Sequence, residues 1–415
     1  MKTVSQPLAN QRGLMLALFM AFTLPLFGMA QSSTGCVSWY DPAAIFQVHQ
    51  QEVLCLPTDQ STSSVVFDAD STGWSTLEDE RPVYWEVPLT FPGGAHKKVI
   101  LHAFQAYRSD LEIGHMTKDG LRTERYTPRL LSYRIANDDI HGTVVFLDGQ
   151  VAGAIRYQGV QYELGGLECN GRATGLFVLY ATADALIKPT FECGLETLAE
   201  QVHTPQPMGL PSQPSSNSVA ECVEIALDID HFTYNQFGGD CNASVEWALA
   251  LLSGVSEIYQ TELDDLISLA ASYINVWETT DPYAAYTGNA GAMLDAFRLE
   301  WLQNPDLADR PRDLVHLLTR RSDTGTGGIA YLGVNCSASY AAGFSSYLSP
   351  SMVYNLNNYS WNLNVVAHEF GHNFGSNHTH WCGWPGGPID DCYAAEGNCT
   401  NNPTPQVGTI MSYCH

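Results

Sequence analysis

The run His368-Glu369-Phe370-Gly371-His372-Asn373-Phe374-Gly375-Ser376-Asn377-His378 leaves its surroundings little freedom. A helical period leads into it from about Trp361. At 100° per residue from Val366, the residues Leu363, Phe370 and Phe374 gather on one face, while His368 and His372 project from the opposite one. Histidines four residues apart stand one turn above each other, so both Nε2 atoms can reach a single zinc ion at about 2.0–2.1 Å. Glu369 points to the side of that pair, close to a water held there and poorly placed to bind the ion itself. A third ligand must return from another direction, and Gly375, free to take φ > 0, ends the helix so that His378 can swing back. Three imidazoles would leave one tetrahedral position for water, whose proton Glu369 would take as the water attacks a polarised carbonyl carbon. Three histidines, a glutamate and a glycine at fixed offsets argue against a helix that merely happens to carry them.

The rest of the chain bears on compartment and domain count. Lys2 and Arg12 precede an apolar run from Leu14 to Phe27 that ends at Gly28-Met29-Ala30, the pattern of a secretory signal peptide over residues 1–30. That run is short for a membrane span and Pro25 interrupts it, so a secreted, extracellular product with no membrane span is expected. In an exported chain 11 cysteines read as a disulfide framework, and the odd number leaves one thiol over. A length of 415 residues, 45% of them hydrophobic, suits two globular domains. With 19 Lys and Arg against 44 Asp and Glu, the net charge of -25 would repel a phosphate backbone, so no nucleic-acid partner is expected.

Residues 31–203 alternate apolar and polar side chains. Val144–Leu147 and Gln150–Tyr157 flank Asp148-Gly149 as a hairpin, and similar runs at Pro82–Phe91, Lys98–Phe104 and Gly175–Leu186 point to a mostly antiparallel β domain. Residues 204–218, rich in proline and serine, read as an exposed linker. From 219 to 415 strands and helices alternate, an α/β pattern: strands at Val223–Ile229, Leu266–Glu278, Leu314–Thr319 and Ile329–Val334, helices at Ser244–Glu262 and Gly288–Gln303. His49, His96, His102, His115, His141, His231 and His316 lack metal spacing and read as ordinary polar residues. His380 follows His378 by two residues, but with three better-placed histidines it is not read as a ligand.

The histidine run resembles the signature of the metzincin metallopeptidases, with Thr409-Ile410-Met411-Ser412-Tyr413 similar to their methionine turn. Glu221–Asp228, Asp313–Thr319 and the wording His372-Asn373-Phe374-Gly375 resemble the reprolysin (adamalysin, ADAM-type) family within that group. The resemblance implies a mixed-sheet α/β (α+β) metzincin catalytic domain with an active-site helix over residues 219–415, preceded by a β-rich propeptide over 31–203. It further implies that the domain is C-terminally incomplete at His415. The implied product is a secreted zinc endopeptidase made as a zymogen and acting on protein or peptide substrates. In it His368, His372 and His378 bind zinc, Glu369 is the general base and Met411 floors the site. Cys382, Cys392 and Cys399 suit a disulfide-bearing reprolysin.

Cys193-Gly194 resembles the cysteine switch of reprolysin propeptides, which makes the propeptide the enzyme's own inhibitor. A disulfide between Cys193 and Cys169 is the alternative. Positions matching Glu224 and Asp313 contribute to a calcium site in some reprolysins, which makes Ca2+ a second candidate ion. Thr379 stands where reprolysins have Asp, so support for the methionine turn must come from elsewhere or be absent. Tyr413 is instead similar to the astacin and serralysin pattern, in which such a tyrosine stabilises the oxyanion; packing beside the cleft is its other reading. Another metzincin subfamily and a non-catalytic adhesion module remain the rival functions.

Overall fold

The computed structural model describes residues 45–58, 63–170, 172–186, 193–195, 221–334, 337–349, 358–399 and 409–413. The signal peptide read at 1–30 and the linker at 204–218 lie outside the described residues.

Alternation in the amino-terminal half yields β1 (Phe46–Val48), β2 (Ser64–Ala69), β3 (Tyr84–Thr90), β4 (His96–Phe104), β5 (Tyr107–Thr117), β6 (Gly120–Arg125), β7 (Leu131–Ile135), β8 (Ile140–Leu147), β9 (Gln150–Tyr157), β10 (Val160–Cys169) and β11 (Arg172–Ala181), with α1 (Ser71–Glu80) after β2. Nine of these strands form one antiparallel sheet in the order β1-β2-β11-β10-β9-β8-β7-β4-β3. The hairpin expected at Asp148-Gly149 joins β8 to β9, with Leu147 opposite Gln150. β11 stops at Ala181, short of the expected Leu186, because Thr182–Asp184 coil into a single 3-10 turn.

The carboxy-terminal half alternates as expected: β12 (Glu221–Ile229), α2 (His231–Gln236), α3 (Cys241–Glu262), β13 (Ile267–Trp277), α4 (Ala290–Gln303), β14 (Leu314–Leu318), β15 (Gly328–Ala330), β16 (Ala342–Ser345) and α5 (Asn358–Asn373). β15 is shorter than the run Ile329–Val334, since the chain turns after Tyr331. The second sheet is mixed, in the order β15-β16-β14-β12-β13-β5-β6. Its last two strands come from the amino-terminal half: β5 pairs in parallel with β13, placing His115 opposite Val276, and β6 closes the edge. A period-two pattern marks β5 and β6 as strands without saying which sheet they enter.

That shared sheet puts α3 between two layers. Every residue of α3 from Ser244 to Glu257 is buried, and its apolar side chains share one core with Leu111, Ile113, Leu130 and Val145 of the first half and with Val365, Val366 and Phe370 of α5. Five buried residues of that stretch (Ser244, Glu246, Ser253, Ser256 and Glu257) are polar, and each has a partner. Glu246 accepts hydrogen bonds from Tyr126 Oη at 2.8 Å, Arg129 N at 2.7 Å and Leu130 N at 3.1 Å. Ser253 Oγ meets Ser132 Oγ at 2.9 Å. Asp228 of β12, also buried, gathers donors from Asn275, Trp277, Trp301 and Tyr283. Burial pushes its carboxyl up to about 7 against the opposing pull of those hydrogen bonds.

Replacing Glu246 by Ala strands two backbone N–H groups and the Tyr126 hydroxyl in a dry layer. It should cost about 3 kcal/mol of stability, with Glu246→Gln intermediate. Chemical denaturation of the full chain measures this, and a loss within error of zero would show that α3 is not held through this carboxylate.

Candidate metal centre

α5 carries His368, Glu369 and His372, and the helix ends at Asn373. Gly375 takes φ 98°, which an L side chain resists, and the chain reverses there to bring His378 back. Nε2 of His372 lies 3.1 Å from Nε2 of His368 and 3.2 Å from Nε2 of His378. The outer nitrogens are each engaged. His368 Nδ1 donates to the Ile410 carbonyl at 2.7 Å and His372 Nδ1 to the Ser376 carbonyl at 2.8 Å, while His378 Nδ1 faces the Glu396 carboxylate.

Carbonyl and carboxylate oxygens only accept, so the ring protons sit on Nδ1 and the three Nε2 atoms turn lone pairs toward one another. Inward lone pairs at these distances repel unless a cation stands among them, and a tetrahedral zinc at 2.0–2.1 Å would set its nitrogens about 3.3–3.4 Å apart. The donor set therefore fits zinc. All three histidines are buried, and burial, with His378 adding to it, brings the pKa of His372 down to about 3, so its imidazole is neutral and ready to ligate. The wheel face that carries His368 and His372 is thus as buried as the packing face of Leu363, Val366 and Phe370.

Cys193 is brought to the same place. Its Sγ lies 3.4 Å from His372 Nε2 and 4.0 Å from Glu369 Oε2, and its ligand atom and those of the three histidines all fall within 4.8 Å of one another. Backbone contacts hold the segment: Gly194 N donates to the Gly328 carbonyl at 2.8 Å on β15, and Cys193 N donates to Tyr413 Oη at 3.2 Å. The alternative pairing of Cys193 with Cys169 is not formed, because Cys169 is bonded to Cys55. Cys222 and Cys241 are also free thiols, so more than the one expected cysteine is unpaired; parity shows only that the number is odd. Cys382 pairs with Cys399, and Cys392 is disulfide-bonded as well.

Glu369 is buried, with Oε2 on the side of Cys193 and Oε1 unpartnered against Gly328, and it does not join the cluster of ligand atoms. Burial drives its carboxyl well above the usual range, with the Cys193 thiol opposing, and burial likewise raises the Cys193 thiol, helped by the nearby Glu369 charge. Met411 lies against α5 at Gly371, where a Cβ would fall 2.2 Å from the Met411 sulfur, so glycine is required for that contact. The support left open by Thr379 is present: its N–H donates to the Met411 carbonyl at 3.0 Å and its hydroxyl to the same oxygen at 3.3 Å. Tyr413 Oη stands 3.4 Å from His378 Nε2.

Glu224 and Asp313 sit side by side, Glu224 N donating to Asp313 Oδ2 at 2.8 Å, and neither belongs to a metal-ligand group among the described residues. The Glu224 carboxylate is paired with Arg108 of β5. His380 is buried and meets Glu396 Oε1 at 3.0 Å instead of entering the triad.

The sequence reading missed Glu396. Burial works to raise its carboxyl, but hydrogen bonds with His378 and His380 outweigh it and hold the group below the usual carboxylate range. No periodicity links position 396 to 378. The Cys382–Cys399 disulfide and two backbone bonds, Cys382 N to the Glu396 carbonyl at 2.9 Å and Glu396 N to the His380 carbonyl at 3.0 Å, fold the loop back. An acid inside a cysteine-closed loop after the third histidine was the available signal.

Residues 220–415 match the family model Reprolysin_5, metallo-peptidase family M12. The likeness to reprolysin-type metallopeptidases carried by the histidine run therefore holds across that segment, and it supports a metalloprotease hydrolase. Human disintegrin and metalloproteinase domain-containing protein 9 is 28% identical over 156 residues, 38% of this chain, which thus spans 18% of the length of that relative. The crystal structure of metalloproteinase-II from Bacteroides fragilis is similar over 71% of this chain and 81% of its own, with 11% identity and a TM-score of 0.39. Among the described residues no helix is long and apolar enough to cross a membrane.

Glu396→Gln should weaken zinc binding by about 10–100-fold, since a carboxylate that orients a ligating imidazole contributes on that scale. Competition with a chromogenic chelator measures the affinity, and an unchanged value would remove Glu396 from the site.

Proposed function

We propose that this chain is a secreted zinc-dependent endopeptidase made as a latent precursor, with residues 31–203 as an inhibitory propeptide and 219–415 as the peptidase domain. The observation that carries the reading is the convergence of Cys193 Sγ with the inward nitrogens of His368, His372 and His378, all within 4.8 Å of one another. Zinc bound by the three histidines supplies Lewis acidity, polarising a scissile carbonyl and acidifying a water at the remaining position. Glu369 is the general base: its carboxylate takes the proton of the attacking water and returns it to the leaving amine. Tyr413 donates to the oxyanion as the propeptide withdraws, a reading supported by its Oη at 3.4 Å from His378 Nε2.

Cys193 is the latch. A thiolate is a stronger zinc ligand than water, so Cys193 in the fourth position keeps water out, while Gly194 occupies the edge of β15 where an extended peptide would lie. Departure of the propeptide would also remove Arg108 from Glu224, leaving Glu224 and Asp313 as oxygen donors for a hard cation such as Ca2+.

The test uses the full-length chain and an internally quenched peptide. Wild type should be silent until a mercurial caps the thiol, and Cys193→Ala should cleave without activation. Glu369→Ala should keep its zinc and lose on the order of 10²–10⁴-fold in turnover. A silent Cys193→Ala precursor that retains zinc would remove the latch, and full activity in Glu369→Ala would remove the assigned base.

A further inference from the structure

Away from the histidine triad, three side chains from three elements meet where the β5–β6 hairpin joins the carboxy-terminal half. His115 projects from β5, Cys241 is the first residue of α3, and Glu278 follows the last residue of β13. One ligand atom from each lies within 4.8 Å of the other two. His115 is 4% exposed. Its Nδ1 is 2.7 Å from Glu278 Oε1, while its Nε2, buried, makes no hydrogen bond and has Glu124 Oε1 of β6 at 3.4 Å. A ring with Nδ1 beside the Glu278 carboxylate and Nε2 turned toward the Glu124 carboxylate can give its Nδ1 lone pair to an ion shared with Glu278 and Cys241 while Nε2–H points at Glu124, the way a ligating histidine is oriented. Glu278 is set in place by its own backbone, whose N–H donates to the Met116 carbonyl next to His115.

We propose that His115, Cys241 and Glu278, with Glu124 at the rim, form a second zinc site that fastens the β5–β6 hairpin to the peptidase half. Thiolate, imidazole and carboxylate together suit zinc better than a hard cation, which would need more oxygens. Cys241 gives up its proton to solvent on binding, and the ion takes the place of that charge balance. The surroundings favour a cation: Glu278, Glu124 and Asp240 face the Cys241 thiol against the guanidinium of Arg122, and burial first, then these carboxylates, push the thiol up to about 12 without an ion. The assignment is independent of the peptidase reading, because none of its residues belongs to the triad. It gives the hairpin an anchor separate from the Cys193 latch, one that withdrawal of the propeptide would have to release as well.

Alkylation of the full-length chain with iodoacetamide, mapped by mass spectrometry with zinc and after chelation, tests this directly. Zinc is expected to slow labelling of Cys241 by about tenfold or more. Cys222, an exposed free thiol, should label equally in both states. Native mass spectrometry should find one zinc fewer in Cys241→Ser than in wild type, with unchanged circular dichroism; Cys241→Ala serves if the serine variant folds poorly. Equal zinc content in wild type and both variants overturns the proposal, as does a Cys241 that labels alike with and without zinc. Protection of Cys193 is read in the same map and reports on the latch. Protection of Cys193 without Cys241 removes this site and leaves the latch intact, whereas protection of Cys241 without Cys193 keeps this site and removes the latch.

Discussion

Three imidazole lone pairs aimed at one point are an unfavourable arrangement until a cation occupies it, and much of the carboxy-terminal half exists to enforce that arrangement. Each ring is turned inward by an acceptor behind it: the Ile410 carbonyl for His368, the Ser376 carbonyl for His372 and Glu396 for His378. Those acceptors come from the turn around Met411, the reversal after Gly375 and the disulfide-closed loop, three segments with no helical or strand period of their own. Burial keeps the His372 ring neutral, and the burial of all three rings is tolerable because each outer nitrogen has a partner. Met411 closes the floor at Gly371, and Thr379 ties the turn back by two bonds to the Met411 carbonyl.

The burial that keeps the centre dry depends on the amino-terminal half. α3 has no solvent face between Ser244 and Glu257, because the mixed sheet covers one side and the antiparallel sheet the other. Its glutamates are met by groups from the first half: Glu246 by Tyr126, Arg129 N and Leu130 N, and Glu257 by Arg134. Arg108 reaches Glu224 and Arg156 reaches Glu262 across the same boundary. A strongly acidic carboxy-terminal half thus receives arginines from the amino-terminal one, and the surface pairs among these add orientation more than stability. The β5–β6 hairpin goes further and supplies two strands of the second sheet, so the halves are joined by backbone hydrogen bonds as well as by side chains.

Period and turn chemistry placed most elements where they are found. Alternation around Asp148-Gly149 located the β8–β9 hairpin, and the runs at β12, β13, β14 and α4 fell within a residue or two of their observed ends. The failures have physical causes. β15 was read too long because an apolar run continued past a turn. β11 was read too long for a similar reason, a 3-10 turn following Ala181.

The amino-acid sequence by itself determined the chemistry of the centre. His368 and His372 one helical turn apart, Glu369 between them, Gly375 to end the helix and His378 beyond it are local relations, set by the 3.6-residue period and by the freedom of glycine at φ 98°. Tertiary structure alone decided what surrounds that centre: that Cys193, unlike Cys169, is a free thiol and lies 3.4 Å from His372, that Glu396 stands behind His378, and that β5 and β6 cross into the second sheet. Contacts between residues that lie in different elements carry no period. They are selected by which packing buries the apolar faces while giving each enclosed polar group a partner, a condition on the folded chain as a whole.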